Sequence, residues 1–307
     1  SMYGIMDEAN CPIITAPGSY SLIKNFSGAP NSITTPFSGY ACVVIRSSNV
    51  TFDCAGHSIN RSGATGTAAG IVVDGTSGYR TNVTIKNCAN ISYYEYNIYS
   101  EYVNNLTIYN NTLFGSTSYP MYMYNPSNYT NISNNRFIQN QYYLSLYNLN
   151  HSFFRDNTAT RNSGGWAFQY SDDVDISGNN ISYITQANVN AIQLSTTDHS
   201  RISNNAIFDT LGTAIRLDSS DFSNISGNTM RNVSSYGILF WGGSDYATVE
   251  NNRGNYTQTC LEIYSASNIN VSFMDCRHGY FGLYAYTSNT RITDSFFYNN
   301  SYGGYYE

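Results

Sequence analysis

The chain has 307 residues, of which 11% are charged against about 25% in an ordinary globular protein, while Tyr (30) and Asn (40) each supply about a tenth or more. That composition excludes a coiled coil, a helical bundle and a charged disordered tail, and a net charge of −6 with few, scattered cations excludes the basic footprint of a nucleic-acid binder. No apolar run approaches the ~18 residues of a membrane span, and the first residues lack a charged-then-apolar leader.

In chain order, residues 1–40 carry Pro12, Pro17, Pro30 and Pro36 and no period. Ser1-Met2 reads as an expression remnant, and the rest of this stretch is expected to form an N-terminal cap. From Val43 one phrase returns, as in GIVVDGTSGYRTNVTIKN, NIYSEYVNNLTIYNN and AIQLSTTDHSRISNN. Its first buried position falls at Val43, Ile71, Ile98, Met121, Leu144, Trp166, Ile192, Ile215, Ile238, Leu261 and Leu283, in steps of 22 to 28 residues. Each copy holds short period-2 strands separated by polar corners, which predicts a solenoid of parallel strands; the leucine-rich phrase and a 3.6-residue period are absent. Eleven turns at the ~4.8 Å strand spacing make a rod of about 50 Å.

Asn111, Asn135, Asn157, Asn179, Asn205, Asn228 and Asn252 recur three residues after the centre of a second strand (Ile108, Ile132, Phe154, Ile176, Ile202, Ile225, Val249). A buried corner leaves backbone groups without ladder partners, and an amide side chain both donates and accepts there. These asparagines are expected to be structural.

Repeats such as NVTIKNCAN, DFSNISGNTM and DHSRISNNAI resemble those of the pectin-lyase-like superfamily, and CVVIRSSNVTFDCAGHSIN resembles NosD-type domains of archaeal and bacterial surface proteins. The resemblance covers roughly residues 40–302. It implies an all-β fold, a single-stranded right-handed parallel β-helix of about eleven turns over 41–307 behind the 1–40 cap. The last repeat runs into Gly303-Gly304-Tyr305-Tyr306-Glu307 without a visible cap, so the chain is expected to be cut there from a larger surface polypeptide. The superfamily includes lyases, polygalacturonases, epimerases, phage tailspikes and non-catalytic adhesins, so fold alone does not select a function. Fifteen connectivities are open to six cysteines: repeat alignment sets Cys54 near Cys88 on successive turns, Cys11 with Cys42 would pin the cap, and Cys260 with Cys276 is the remainder. Sixteen Asn-x-Ser/Thr sequons add to an extracellular, cell-surface expectation.

Residues alternating with the anchors are expected to form two outward columns. One contains Val72, Tyr99, Tyr122, Ser145, Ala167, Gln193, Arg216, Leu239, Glu262 and Tyr284; the other Asp74, Glu101, Tyr124, Tyr147, Gln169, Ser195, Asp218, Trp241, Tyr264 and Tyr286. Aromatic rings beside amides and carboxylates suit sugars, although Tyr is also a favoured strand residue and the rings can simply stack on each other.

Three functions are compatible with these residues. The first is a non-catalytic, adhesin-like module contacting glycan or a cell-surface protein through this face. The second is a polysaccharide lyase or glycosidase centred on Arg216, Asp218 and Glu262 with Gln193, the two carboxylates standing near the roughly 6.5–9.5 Å hydrolase spacing. The third is a structural envelope component. The Asn-Thr-Asp, Asp-Asp and Gly-His-Asp clusters of polygalacturonases are not reproduced together: Asp172-Asp173 falls in a turn and Gly56-His57 precedes Ser58. Asp198-His199 is assigned to a solvated turn. His57, His151 and His278 lack partners at metal spacing, so no metal is expected beyond a calcium ion shared by Asp74 and Glu101.

Overall fold

The computed structural model describes residues 3–6, 11–61 and 66–306, so Ser1, Met2 and Glu307 lie outside the described residues. No helix among them is long and apolar enough to cross a membrane. The chain divides into two compact units, Ser1–Phe153 and Phe154–Glu307.

In the first unit the repeat phrase becomes three strands per coil. Gly39–Ile45, Ala68–Asp74, Tyr96–Glu101 and Met121–Tyr124 pair in parallel, with Val43 opposite Ile71, Ile71 opposite Ile98, and Ile98 opposite Met121. A second ladder aligns Phe52, Ile85, Ile108 and Ile132, and a third aligns Ile59, Ile91, Leu113 and Phe137. All of these side chains are buried. Each buried aliphatic or aromatic side chain contributes about 1.5–3 kcal/mol, and a one-residue slip would turn a whole column into water, so the register is strongly fixed.

Residues 11–33 enter this ladder instead of standing apart from it. Ile13 lies opposite Val44, Gly18–Leu22 pairs with Val50–Asp53, and Phe26 lies opposite Ile59. Buried Ile14, Leu22 and Phe26 supply the apolar positions that the prolines obscure in the sequence. Asn31–Ile33 then runs antiparallel to Gly39–Ile45 and lays Ile33 on the outer face beside Val44, Val72 and Tyr99.

In the second unit, Trp166, Ile192, Ile215, Ile238, Leu261 and Leu283 are successive partners in one parallel column. Ile176, Ile202, Ile225, Val249, Val271 and Ile292 form another. At the corner following this second sheet, Asn179, Asn205, Asn228 and Asn252 stack. The Asn205 amide donates to the Ile176 carbonyl (2.9 Å) and to Asn228 Oδ1 (3.0 Å), while its own Oδ1 accepts from the backbone N–H and the side chain of Asn179, both at 2.9 Å. Asn111 and Asn135 repeat the arrangement in the first unit.

Three disulfides, Cys11–Cys42, Cys54–Cys88 and Cys260–Cys276, leave no free cysteine. Such bridges persist in oxidising compartments, which is consistent with an extracellular location.

Candidate functional site

In the first unit the outer face of the repeat strands is largely covered. Val72, Tyr99, Asp74 and Glu101 are buried instead of solvated; Ile33 and Phe37 pack with Val72 and Tyr99, Phe37 lying 5.4 Å from Tyr96 and 5.0 Å from Tyr99. Tyr99 stacks on Tyr122 at 5.1 Å, and Tyr124 contacts Tyr147 at 5.5 Å.

The calcium expectation meets a carboxylate already in use. Asp74 is 2% exposed and accepts from Arg46 Nε (3.0 Å), Thr35 Oγ1 (3.2 Å) and Thr76 Oγ1 (2.6 Å). Burial opposes its ionisation, but the Thr76, Arg46 and Thr35 donors prevail and hold it below the usual carboxylate range. Glu101 is pushed the other way, by burial first and by the Asp74 charge second, although Asn125 donates to it at 2.6 Å.

The second unit keeps an open strip. Thr213–Asp218 places Arg216 and Asp218 side by side on the outer face, where the guanidinium grips the carboxylate through Nε (2.9 and 3.0 Å) and Nη2 (2.9 Å). Gln193, opposite Arg216 in the neighbouring strand, donates to Asp218 Oδ2 at 2.8 Å and accepts from Asn190 at 3.0 Å. Trp241, opposite Asp218, stacks on Tyr264 (4.5 Å, 15°), which stacks on Tyr286 (5.7 Å, 25°), and Arg216 lies 5.9 Å over the indole. Trp241 and Tyr286 are 42% and 49% exposed. Because the rings cover one another's faces, a ligand here meets ring edges and phenol hydroxyls beside a fixed amide, guanidinium and carboxylate.

Glu262 lies two strands from Arg216, across buried Leu239. Burial pushes its carboxyl up from 4.5 to about 6. Two strand spacings and a two-residue offset along the strand separate the Asp218 and Glu262 backbones by about 12 Å, and Asp218 spends its oxygens on Arg216 and Gln193, so the two do not form a free acid/base pair.

Asn190 and Tyr236 also belong to this strip, although no pattern in the sequence marks them. Tyr236 is partly buried, and its hydroxyl is raised by burial and then by the nearby Glu262 charge. Both residues precede an anchor by two positions, beyond a bend marked by a small residue. At Gly237 an added Cβ would meet the Cys260 carbonyl oxygen at 2.5 Å.

A folded carboxyl raised above its unfolded value contributes stability that is fully present below about pH 4.5 and lost as pH rises through about 6. Wild type is therefore expected to lose roughly 1 kcal/mol relative to Glu262→Gln across that window, after discounting for partial exposure. Urea unfolding of both proteins from pH 4 to 7 checks this, and identical pH slopes would refute it.

The remaining candidates are corner residues. His199 stacks on Phe222 (5.0 Å, 6°) and Phe222 on Tyr246 (5.0 Å, 7°), all three at positive φ. Asp172, Asp198 and Asp221 each accept the backbone N–H of the equivalent residue one coil on. His151 stacks on Tyr129, and His278 stacks on Tyr256 with Nδ1 2.8 Å from Asn255 Oδ1. Among the described residues, no three His, Cys, Asp or Glu side chains gather as a metal site.

A family model described as periplasmic copper-binding protein (NosD) matches residues 48–236 and 144–260. A comparison with curated proteins found no match. Among solved structures, a single-substitution variant of the periplasmic alginate epimerase AlgG is similar at 13% identity and a TM-score of 0.56, over 94% of this chain and 72% of that one. A double-substitution variant gives 12%, 0.50, 93% and 71%. These likenesses establish the fold as a right-handed parallel β-helix.

Proposed function

The chain belongs to the NosD family, and from that premise we propose that it is a non-catalytic, adhesin-like β-helix of the cell exterior that holds a glycan along the Gln193–Tyr286 strip. The observation that carries this reading is the fixed polar trio Gln193, Asp218 and Arg216 beside the exposed Trp241–Tyr264–Tyr286 stack. Preset donors and acceptors beside phenol hydroxyls suit sugar hydroxyls. An alginate epimerase shares the fold, in keeping with a saccharide ligand.

The family description names copper. Every cysteine is in a disulfide, and no group of three His, Cys, Asp or Glu side chains able to hold a metal occurs among the described residues, so the residues present do not fit a copper site.

A catalytic reading has one observation in its favour: Glu262, raised to about 6, is the kind of carboxyl that serves as a general acid. A glycan array run with reducing-end and unsaturated-uronate assays separates the two. Binding without turnover is expected, weakened roughly tenfold in Trp241→Ala. Turnover that disappears in Glu262→Gln or Asp218→Ala would overturn the non-catalytic reading.

A further inference from the structure

A second candidate ligand surface lies on the leading parts of the long strands of the second unit, away from the Trp241 strip. Ala206–Thr210, Asp275–Arg277 and the leading parts of Thr229–Trp241 and Arg253–Ser267 pair in parallel. Phe208 stands opposite Arg231, Arg231 opposite Asn255, Asn255 opposite Arg277, and Thr229 opposite Arg253. Phe208, Thr229, Arg231, Arg253 and Asn255 enclose an open cavity of about 320 Å³, at the small end of the range that accommodates small ligands.

The charge in this cavity is unbalanced. The chain has only 14 Lys and Arg and a net charge of −6, yet Arg231, Arg253 and Arg277 fall on three successive strands here. Asp275 serves two of them: Oδ1 takes Arg277 Nε at 2.6 Å, leaving Oδ2 at 3.8 Å from Arg253 Nε. Arg231 makes no ion pair among the described residues, and its guanidinium rests 5.7 Å over the Phe208 ring. A guanidinium held over an aromatic ring is weakly hydrated, and its planar fork matches a carboxylate or sulfate oxygen pair. Arg253 lines the same cavity, and an anion bridging the two guanidiniums relieves their repulsion. The cavity has room beyond a bare oxyanion, with Thr229 and the Asn255 amide in its wall.

We infer that this cavity binds an oxyanion-bearing sugar unit of an acidic polysaccharide, a uronate carboxylate or a sulfate ester. The site stands on its own, because it uses no residue of the Trp241 strip.

Calorimetric titration of the intact chain with an oligogalacturonate, a sulfated oligosaccharide, a neutral oligosaccharide of equal length and sodium sulfate tests it. One or both acidic oligosaccharides should bind, which of them binds distinguishing uronate from sulfate recognition, and the neutral one should not. Arg231→Gln/Arg253→Gln should bind at least roughly tenfold more weakly, Arg231→Lys/Arg253→Lys should recover part of the loss, and Arg201→Gln should match wild type. Circular dichroism checks that each variant is folded. Undiminished binding in the Gln double variant, equal binding of the neutral oligomer, or binding of inorganic sulfate alone overturns the site. Loss in Trp241→Ala with full binding in the Gln double variant places the sugar on the other strip and overturns it as well.

Discussion

Asn205→Leu should lower the free energy of unfolding in urea by about 3–5 kcal/mol. The side chain is buried, and leucine has the same branched shape but is bulkier, so the loss comes from broken hydrogen bonds and crowding and not from a cavity. Its Oδ1 is the acceptor for the backbone N–H of Asn179, and its amide covers the Ile176 carbonyl and Asn228 Oδ1. Leucine leaves the Asn179 N–H and the Ile176 carbonyl with neither protein nor water, at about 1–3 kcal/mol each, while Asn228 Oδ1 keeps the Asn205 backbone N–H. Asn205→Asp sharpens the test: it keeps the acceptor but places a carboxylate against two acceptors at neutral pH, so its defect should shrink on acidification as the carboxyl becomes a donor. A loss below about 1 kcal/mol for Asn205→Leu would mean that the corner is held by something other than the amide stack.

Trp166→Ala should cost a similar amount, about 3–5 kcal/mol, for the opposite reason. Trp166 is 2% exposed, its ring lies 4.7 Å from Phe154, and Phe154 meets Phe168 edge-on at 5.4 Å. Removing the indole empties a volume that the neighbouring rings, fixed by their strand positions, refill only in part. Trp166→Phe keeps most of the packing and should cost less than about 2 kcal/mol. Equal losses for the two variants in guanidinium unfolding would show that the site collapses freely and that the core is not packed as described.

Much of the coil was legible because stacking demands the same residue type at the same place. Ile192, Ile215, Ile238 and Leu261 are one another's partners, as their spacing implies, and the asparagines three residues past each second-strand centre do close the corner. The hydroxyl corner was not legible. Ser171, Thr197, Ser220 and Ser244 form their own stack, each backbone N–H up to Ser220 bonded to the next hydroxyl, but Ser and Thr are so common in this chain that the period is lost.

The candidate site was half legible. Gln193, Arg216, Asp218 and Trp241 come together because strict alternation holds after each anchor, whereas Asn190 and Tyr236 lie before the bend, where it breaks. The tyrosine excess also has a second destination that no alternation predicts. Tyr93, Tyr102, Tyr129, Tyr170, Tyr183, Tyr246 and Tyr256 occupy left-handed corner positions, a conformation bulky side chains seldom adopt.

Between Ile192 and Leu261 the step is 23 residues three times running. Excising or duplicating residues 215–237 would return every strand to an equivalent partner, while deleting one residue within a strand would turn its buried side chain into water. Length in this unit is thus quantised: descendants of this sequence can lengthen or shorten its outer strip in increments of about 4.8 Å, one whole coil at a time, without redesigning the core.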